Sequence, residues 1–262
     1  FGPQNMVPRF AWNPWAELRG YDDIKATGAS GHMNDILPDD VTKDLRRAYY
    51  SCVTFMDTLV GRLLQALKDE GLEDDTIVSF IGDHGYMLGE HGAWEKHSNF
   101  HLATHAPLMI HIPGVTDGGI ESEEMIEFVD LYPTLVEATG HGYVKHCPQD
   151  SSHTPVCTEG DSLMPLIRKD PGVIWKDCAF SQYPGHPGHG VMGYSLTPHQ
   201  YRYTKWISLN PKTDEPQWKD VLEVELFDLV KDPQENRNLA DDPAYHKVRE
   251  QLATKLIRGW RL

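Results

Sequence analysis

The 262-residue sequence predicts an α/β protein: a mostly parallel sheet flanked by helices, then a smaller antiparallel sheet with a terminal helix. A long amphipathic helix runs into a short β-branched strand, and that strand breaks in a polar, glycine-flanked turn, as parallel α/β units do. Beyond residue 145 the texture changes to short strands in which aromatic and polar residues alternate. A second amphipathic helix closes the chain. These observations place one unit at 1–145 and a second at 146–262.

Taken in order, residues 1–38 are rich in Pro, Gly, Trp and Asn without periodicity, which predicts a loop wrapped over a core. A helix then opens at Pro38-Asp39-Asp40, with acidic residues in its first turn, and ends near Gly71. Val41, Leu45, Ala48, Cys52, Met56, Leu59, Leu63 and Leu67 recur at spacings of three and four, so they form one stripe and Cys52 is expected in the core. Thr76 to Ile81 has strand length and breaks into Gly82-Asp83-His84-Gly85. Leu108 to Ile112 makes a second strand, and a helix is expected from Val129 to Thr139 with Gly140 as its cap. Cys178 precedes a further strand and is expected to be buried. Later strands fall at Gly193–Leu196, Tyr201–Ile207 and Glu225–Leu229, before a helix from about Pro243 to Ile257.

No apolar run approaches the roughly 18–20 residues that span a bilayer. The chain shows no charged and then apolar leader, and its start at Phe1 rather than Met suggests a mature, processed or trimmed chain. A net charge of −15 argues against nucleic acid as a partner. Fourteen histidines bring that sum to −1 at most if all are protonated, which suits either a solvated acidic surface or an acidic compartment. Of the four cysteines, Cys147 and Cys157 flank a polar Pro/Ser/His/Thr loop of the kind that disulfides staple in oxidising compartments.

The chemistry concentrates in Gly82 to Lys96, GDHGYMLGEHGAWEK. Asp83 and His84 at a strand end can offer a carboxylate oxygen and an imidazole nitrogen to one hard cation, calcium or magnesium. Lys96 carries a charge suited to a sulfate or phosphate oxyanion. The same residues also fit a hydrogen-bonded turn and a solvated lysine, and residue types alone leave both readings open.

The order DHG, GEHG, Trp-Glu-Lys and Ser-Asn-Phe resembles the second half of the sulfatase catalytic domain. Asn13-Pro14-Trp15, Ala103-Thr104-His105 and Asp130-Leu131-Tyr132-Pro133-Thr134 extend the resemblance. It continues through Ser181-Gln182-Tyr183-Pro184, Met192-Gly193-Tyr194-Ser195 and the ending Glu225-Leu226-Phe227-Asp228. The Asp-His form favours the iduronate-2-sulfatase branch, within the alkaline phosphatase superfamily. The resemblance implies the C-terminal part of a sulfatase-type fold. It also implies Asp83 and His84 as calcium ligands, Lys96 as the catalytic contact to sulfate, and Tyr86, Lys96 and His105 as substrate-binding residues. A Cys147–Cys157 disulfide, a lysosomal or secreted location, and a 2-O-sulfated glycosaminoglycan substrate (heparan or dermatan sulfate) follow from it as well.

The family's nucleophile is a formylglycine made from cysteine in Cys-x-Pro/Ala-x-Arg, and none of Cys52, Cys147, Cys157 or Cys178 sits in that motif. A partner chain or N-terminal portion is therefore expected to supply the nucleophile and the remaining calcium ligands, and this chain alone is expected to be inactive. A non-catalytic binding or structural protein on the sulfatase fold is the alternative.

Overall fold

A computed structural model describes residues 8–32, 35–185 and 190–260; the beginning of the expected wrap, residues 1–7, lies outside them. From residue 8 the chain does wrap a core. Trp15, Leu18, Ile24, on the short helix α1 (Asp22–Lys25), and Leu37 are buried together with Trp94. The wrap is tied down by polar contacts. Asn13 Nδ2 donates to the His97 carbonyl at 2.9 Å, and the Trp15 amide donates to Asn13 Oδ1 at 2.7 Å.

Helix α2 (Asp39–Asp69) has the expected extent, and its first turn carries Asp39 and Asp40, the favourable sign for the helix dipole. Val41 and Leu45 pack against the Trp94 cluster, but no residue of α2 is fully buried. Tyr50, Val53, Phe55, Met56 and Leu63 are exposed, and so is Cys52, which corrects its expected core position. An amphipathic stripe shows that a face suits burial; it does not supply the element that covers it.

Strands β1 (Val78–Ile81), β2 (Met87–Leu88) and β3 (Trp94–Glu95), helix α3 (His101–Thr104) and strand β4 (Leu108–His111) follow. β1 pairs with β4 antiparallel, Val78 opposite His111 and Ile81 opposite Leu108, a pairing that a mostly parallel sheet does not predict. The reason lies in the connection. A parallel partner needs a crossover to the opposite end of the strands. Here the chain leaves at Ile81 and returns at Leu108 at the same end, where the Gly82 amide donates to the Pro107 carbonyl at 3.0 Å. An apolar run fit for burial does not encode its direction.

Residues 82–107 therefore form one long excursion whose two ends meet. Within it Gly85 lies against α3. A Cβ there would fall 2.0 Å from the Leu102 carbonyl oxygen and 2.7 Å from that of His105. Gly85→Ala is expected to cost about 1–3 kcal/mol, as overpacking does, and thermal melting checks it. An unchanged melting temperature would show that α3 yields freely.

Helix α4 (Leu131–Ala138) is capped as expected, with Gly140 at φ +77°. Cys147 and Cys157 form a disulfide, S–S 2.10 Å, and helix α5 (Met164–Ile167) follows. The second unit is the expected antiparallel sheet, in the order β5 (Cys178–Pro184), β6 (Val191–Pro198), β7 (Tyr201–Leu209) and β8 (Pro216–Asp228). One face packs on helix α6 (His246–Arg258) through Cys178, Leu196, Tyr203, Leu226, Leu252 and Leu256.

Alternation in β7 suggests a solvated polar face, yet that face is buried. Trp206 and Phe227 pack against Met87, Phe100 and Ala103 of the excursion, across the expected boundary at 145. Its polar members pair with one another and with Glu235, although Arg202 Nη2 and Glu225 Oε2 make no hydrogen bond. Arg202 pairs with Glu225 at 2.8 Å and with Glu235, while Trp206 Nε1 donates to Glu225 at 2.6 Å. The two ends of the chain thus share a core, and the excursion lies on it. Among the described residues no helix is long and apolar enough to cross a membrane.

Candidate functional site

The excursion begins at the carboxyl end of β1, and its first two side chains are Asp83 and His84. His84 Nδ1 lies 2.7 Å from the Gly85 carbonyl, an oxygen that can only accept, so Nδ1 carries the proton. The other ring nitrogen, Nε2, lies 3.5 Å from Asp83 Oδ2. The Asp83 carboxylate is open to solvent. One carboxylate and one imidazole nitrogen on the same side fit part of a divalent-cation shell. They fall well short of the about six to eight oxygens calcium takes.

The β2–β3 ladder, Met87 opposite Glu95 and Leu88 opposite Trp94, turns the chain back and delivers Lys96. Lys96 is not a free cation. Its ammonium contacts the Glu17 carboxylate of the wrap. That contact holds the Glu17 carboxyl below its usual range and raises the Lys96 ammonium, so both stay charged at neutral pH.

Glu95 has left-handed backbone, φ +75°, and a fully buried side chain. Its Oε1 accepts from the Leu18 amide, and its Oε2 lies 3.3 Å from His97 Nδ1. Burial pushes the Glu95 carboxyl up. His97 is held lower by burial and by the nearby Lys96 charge, and its ring stacks on Tyr183 at 5.9 Å. Tyr86 stacks on Tyr49 of α2 at 5.0 Å, and burial together with the charges of Glu95 and Glu17 pushes its phenol up to about 12.

Asp83, His84, Tyr86 and Lys96 thus gather around Glu17, Glu95 and His97 at one edge of the excursion. His105 is positioned differently: its ring stacks on His101 at 4.7 Å. Sequence reasoning missed Glu17 and Glu95. Single carboxylates far apart in sequence carry no periodic or motif signal, and a positive φ at a glutamate is invisible in the letters.

The histidines beneath the site set an acid response. His101 is pushed down to about 4 by burial, by His105 and by Arg202, and burial also lowers the stacked His91. An unfolded histidine titrates near 6.5. Between that pH and about 4 the unfolded chain binds protons that folded His101 does not, so stability present above 6.5 falls as pH drops. The melting temperature is expected to fall from pH 7 to pH 5, and less steeply in His101→Asn. Parallel slopes would show that His101 has no part in the response.

Comparisons with known proteins agree with one another. A family model described as Sulfatase matches residues 13–141, and one described as N-sulphoglucosamine sulphohydrolase, C-terminal, matches residues 89–260. Iduronate 2-sulfatase of Homo sapiens is 34% identical over 90% of this chain and 51% of its own length. The chain thus spans about half the length of the curated relatives it matches first. A putative sulfatase of Bacteroides thetaiotaomicron superposes with a TM-score of 0.69 at 21% identity, over 98% of this chain and 52% of the other, a likeness of fold. A phosphonate monoester hydrolase of Silicibacter pomeroyi gives a TM-score of 0.67 at 26% identity, over 84% and 42%.

Proposed function

Because the chain belongs to the sulfatase family, we propose that it is the sulfate-holding portion of a sulfuric ester hydrolase acting on 2-O-sulfated iduronate in heparan or dermatan sulfate. The observation that carries this reading is the placement of Lys96, on a hairpin beside the Asp83–His84 edge and held charged by Glu17. An ammonium there can bind a sulfate oxygen and stabilise the charge that grows on it as the ester bond breaks. Glu17 keeps Lys96 extended toward the edge until an anion competes for it. Tyr86, with its phenol proton retained, offers a hydrogen-bond donor and an aromatic face to a sugar ring. His105 is assigned to the substrate-binding set by its place in the Ala103-Thr104-His105 motif.

Asp83 Oδ2 and His84 Nε2 would hold calcium together with ligands outside this chain, and a calcium ion there supplies a Lewis acid for the sulfate. The nucleophile, a formylglycine, is assigned to an N-terminal portion or partner chain. The exposed face of α2 supports such a partner, because Phe55, Met56 and Leu63 are apolar surface without cover. The Cys147–Cys157 disulfide supports a lysosomal or secreted location.

A phosphonate monoester is the second candidate substrate, on the likeness to the Silicibacter pomeroyi hydrolase. One assay separates the readings. Sulfate release from a 2-O-sulfated iduronide and hydrolysis of a phosphonate monoester are followed with this chain alone and with the N-terminal portion added. Sulfate release only in the reconstituted sample is the expected result. Phosphonate turnover without sulfate release would replace the reading, and no turnover of either would favour a non-catalytic binding protein.

A further inference from the structure

We infer that Glu17, Glu95 and His97 form a binding site for a divalent transition cation of the zinc class, with ligands other than Asp83 and His84. One ligand atom from each of the three residues can be chosen so that all lie within 4.8 Å of one another. The cluster is graded from inside to outside: Glu95 is fully buried, His97 half-buried and Glu17 exposed, so an ion can enter past Glu17. A small cluster of acids would not by itself make a site. What points to a ligand is Glu95 Oε2. It is shut off from solvent, accepts no hydrogen bond, and is aimed at His97. A buried carboxylate oxygen without a partner is costly and calls for a positive charge.

Lys96 and Arg19 bear on Glu95 from a distance, but neither hydrogen-bonds its Oε2. His97 stands between the two carboxylates, Nδ1 3.3 Å from Glu95 Oε2 and Nε2 3.9 Å from Glu17 Oε2. The Lys96 ammonium is taken by Glu17. Glu95 Oε1, already accepting from the Leu18 amide, and the stacking of His97 on Tyr183 fix two of the ligands in place before any ion arrives.

The donor set selects the ion. Imidazole with carboxylates suits zinc and its transition-metal neighbours, whereas calcium takes more oxygens than three residues give. A divalent ion at Glu17 competes directly with the Lys96 ammonium for the same carboxylate. Occupancy therefore releases Lys96 from Glu17. The site stands on these contacts and does not depend on sulfatase chemistry.

The test is calorimetric titration of the metal-stripped full chain with Zn2+, repeated with Co2+ and read by its visible absorption. One bound ion per chain is expected. Glu95→Gln and His97→Ala should each weaken binding by about tenfold or more, the scale on which even supporting groups of metal sites act. Lys96→Gln should tighten it by removing the competitor, and Asp83→Asn should leave it unchanged. Glu95→Gln keeps the acceptor for Leu18; if it nonetheless fails to fold, His97→Ala, at a half-buried position, decides the matter. Binding that ignores both substitutions is adventitious and overturns the site, as does no binding at all. Loss of binding in Asp83→Asn would move the ion to the Asp83–His84 pair and equally overturn it.

Discussion

Lys96→Ala in the reconstituted enzyme is expected to lower kcat by about 10²–10³-fold, the cost of removing one preorganised oxyanion contact. His97→Ala is expected to lose far less. The reasoning starts from the hairpin: β3 ends at Glu95, whose burial and contact with Leu18 fix the backbone, and the next residue is therefore delivered to one place. Glu17 meets the ammonium there and keeps it charged. A sulfate oxygen gains negative charge toward the transition state, so the interaction is stronger there than with bound substrate. The loss should accordingly fall on kcat more than on KM. Steady-state kinetics on a 2-O-sulfated iduronide decides it. Equal losses in the two variants, or a loss confined to KM, would sink the role given to Lys96.

Arg202→Met is expected to destabilise the chain by about 3–5 kcal/mol, because it strands buried carboxylates rather than merely removing a contact. Arg202 is 1% exposed, lies 5.0 Å from the Phe100 ring and 4.8 Å from that of Phe227, and pairs with Glu225 and Glu235. Both carboxylates are buried as well. A second variant separates charge from packing: Arg202→Met combined with Glu225→Gln and Glu235→Gln should recover much of the loss, since no uncompensated charge is left behind. Urea unfolding of the single and triple variants reads both. A triple variant no more stable than the single one would assign the cost to lost packing.

The parts of this molecule that were legible in its letters are those encoded by local period or local chemistry. α2, β7 and α6 follow from spacing, and the turn at Asp83–His84 from glycines set against a β-branched run. What escaped depends on partners distant in sequence. The polar residues of β7 signal a solvated face, and only the arrival of Phe100 and Glu235 from elsewhere makes Arg202 a core residue. The stripe on α2 places Cys52 on an apolar face without telling what covers it. Lys96 was singled out in the sequence, but its partner Glu17 lies 79 residues away in a loop without period. The antiparallel pairing of β1 with β4 was hidden for the same reason, since strand direction is set by where the chain returns.

The excursion that bears the site is clasped from the far end of the chain. Glu235 accepts from the His101 amide at 2.8 Å, and Asn99 Nδ2 donates to the Gly193 carbonyl at 3.0 Å. The terminal sheet is thus a jig against which the reactive edge is held to shape. A lesion in that jig is expected to displace Lys96 and its neighbours while leaving each of them chemically intact. A transplant of residues 82–107 onto another scaffold would accordingly carry the side chains without the vice that steadies them.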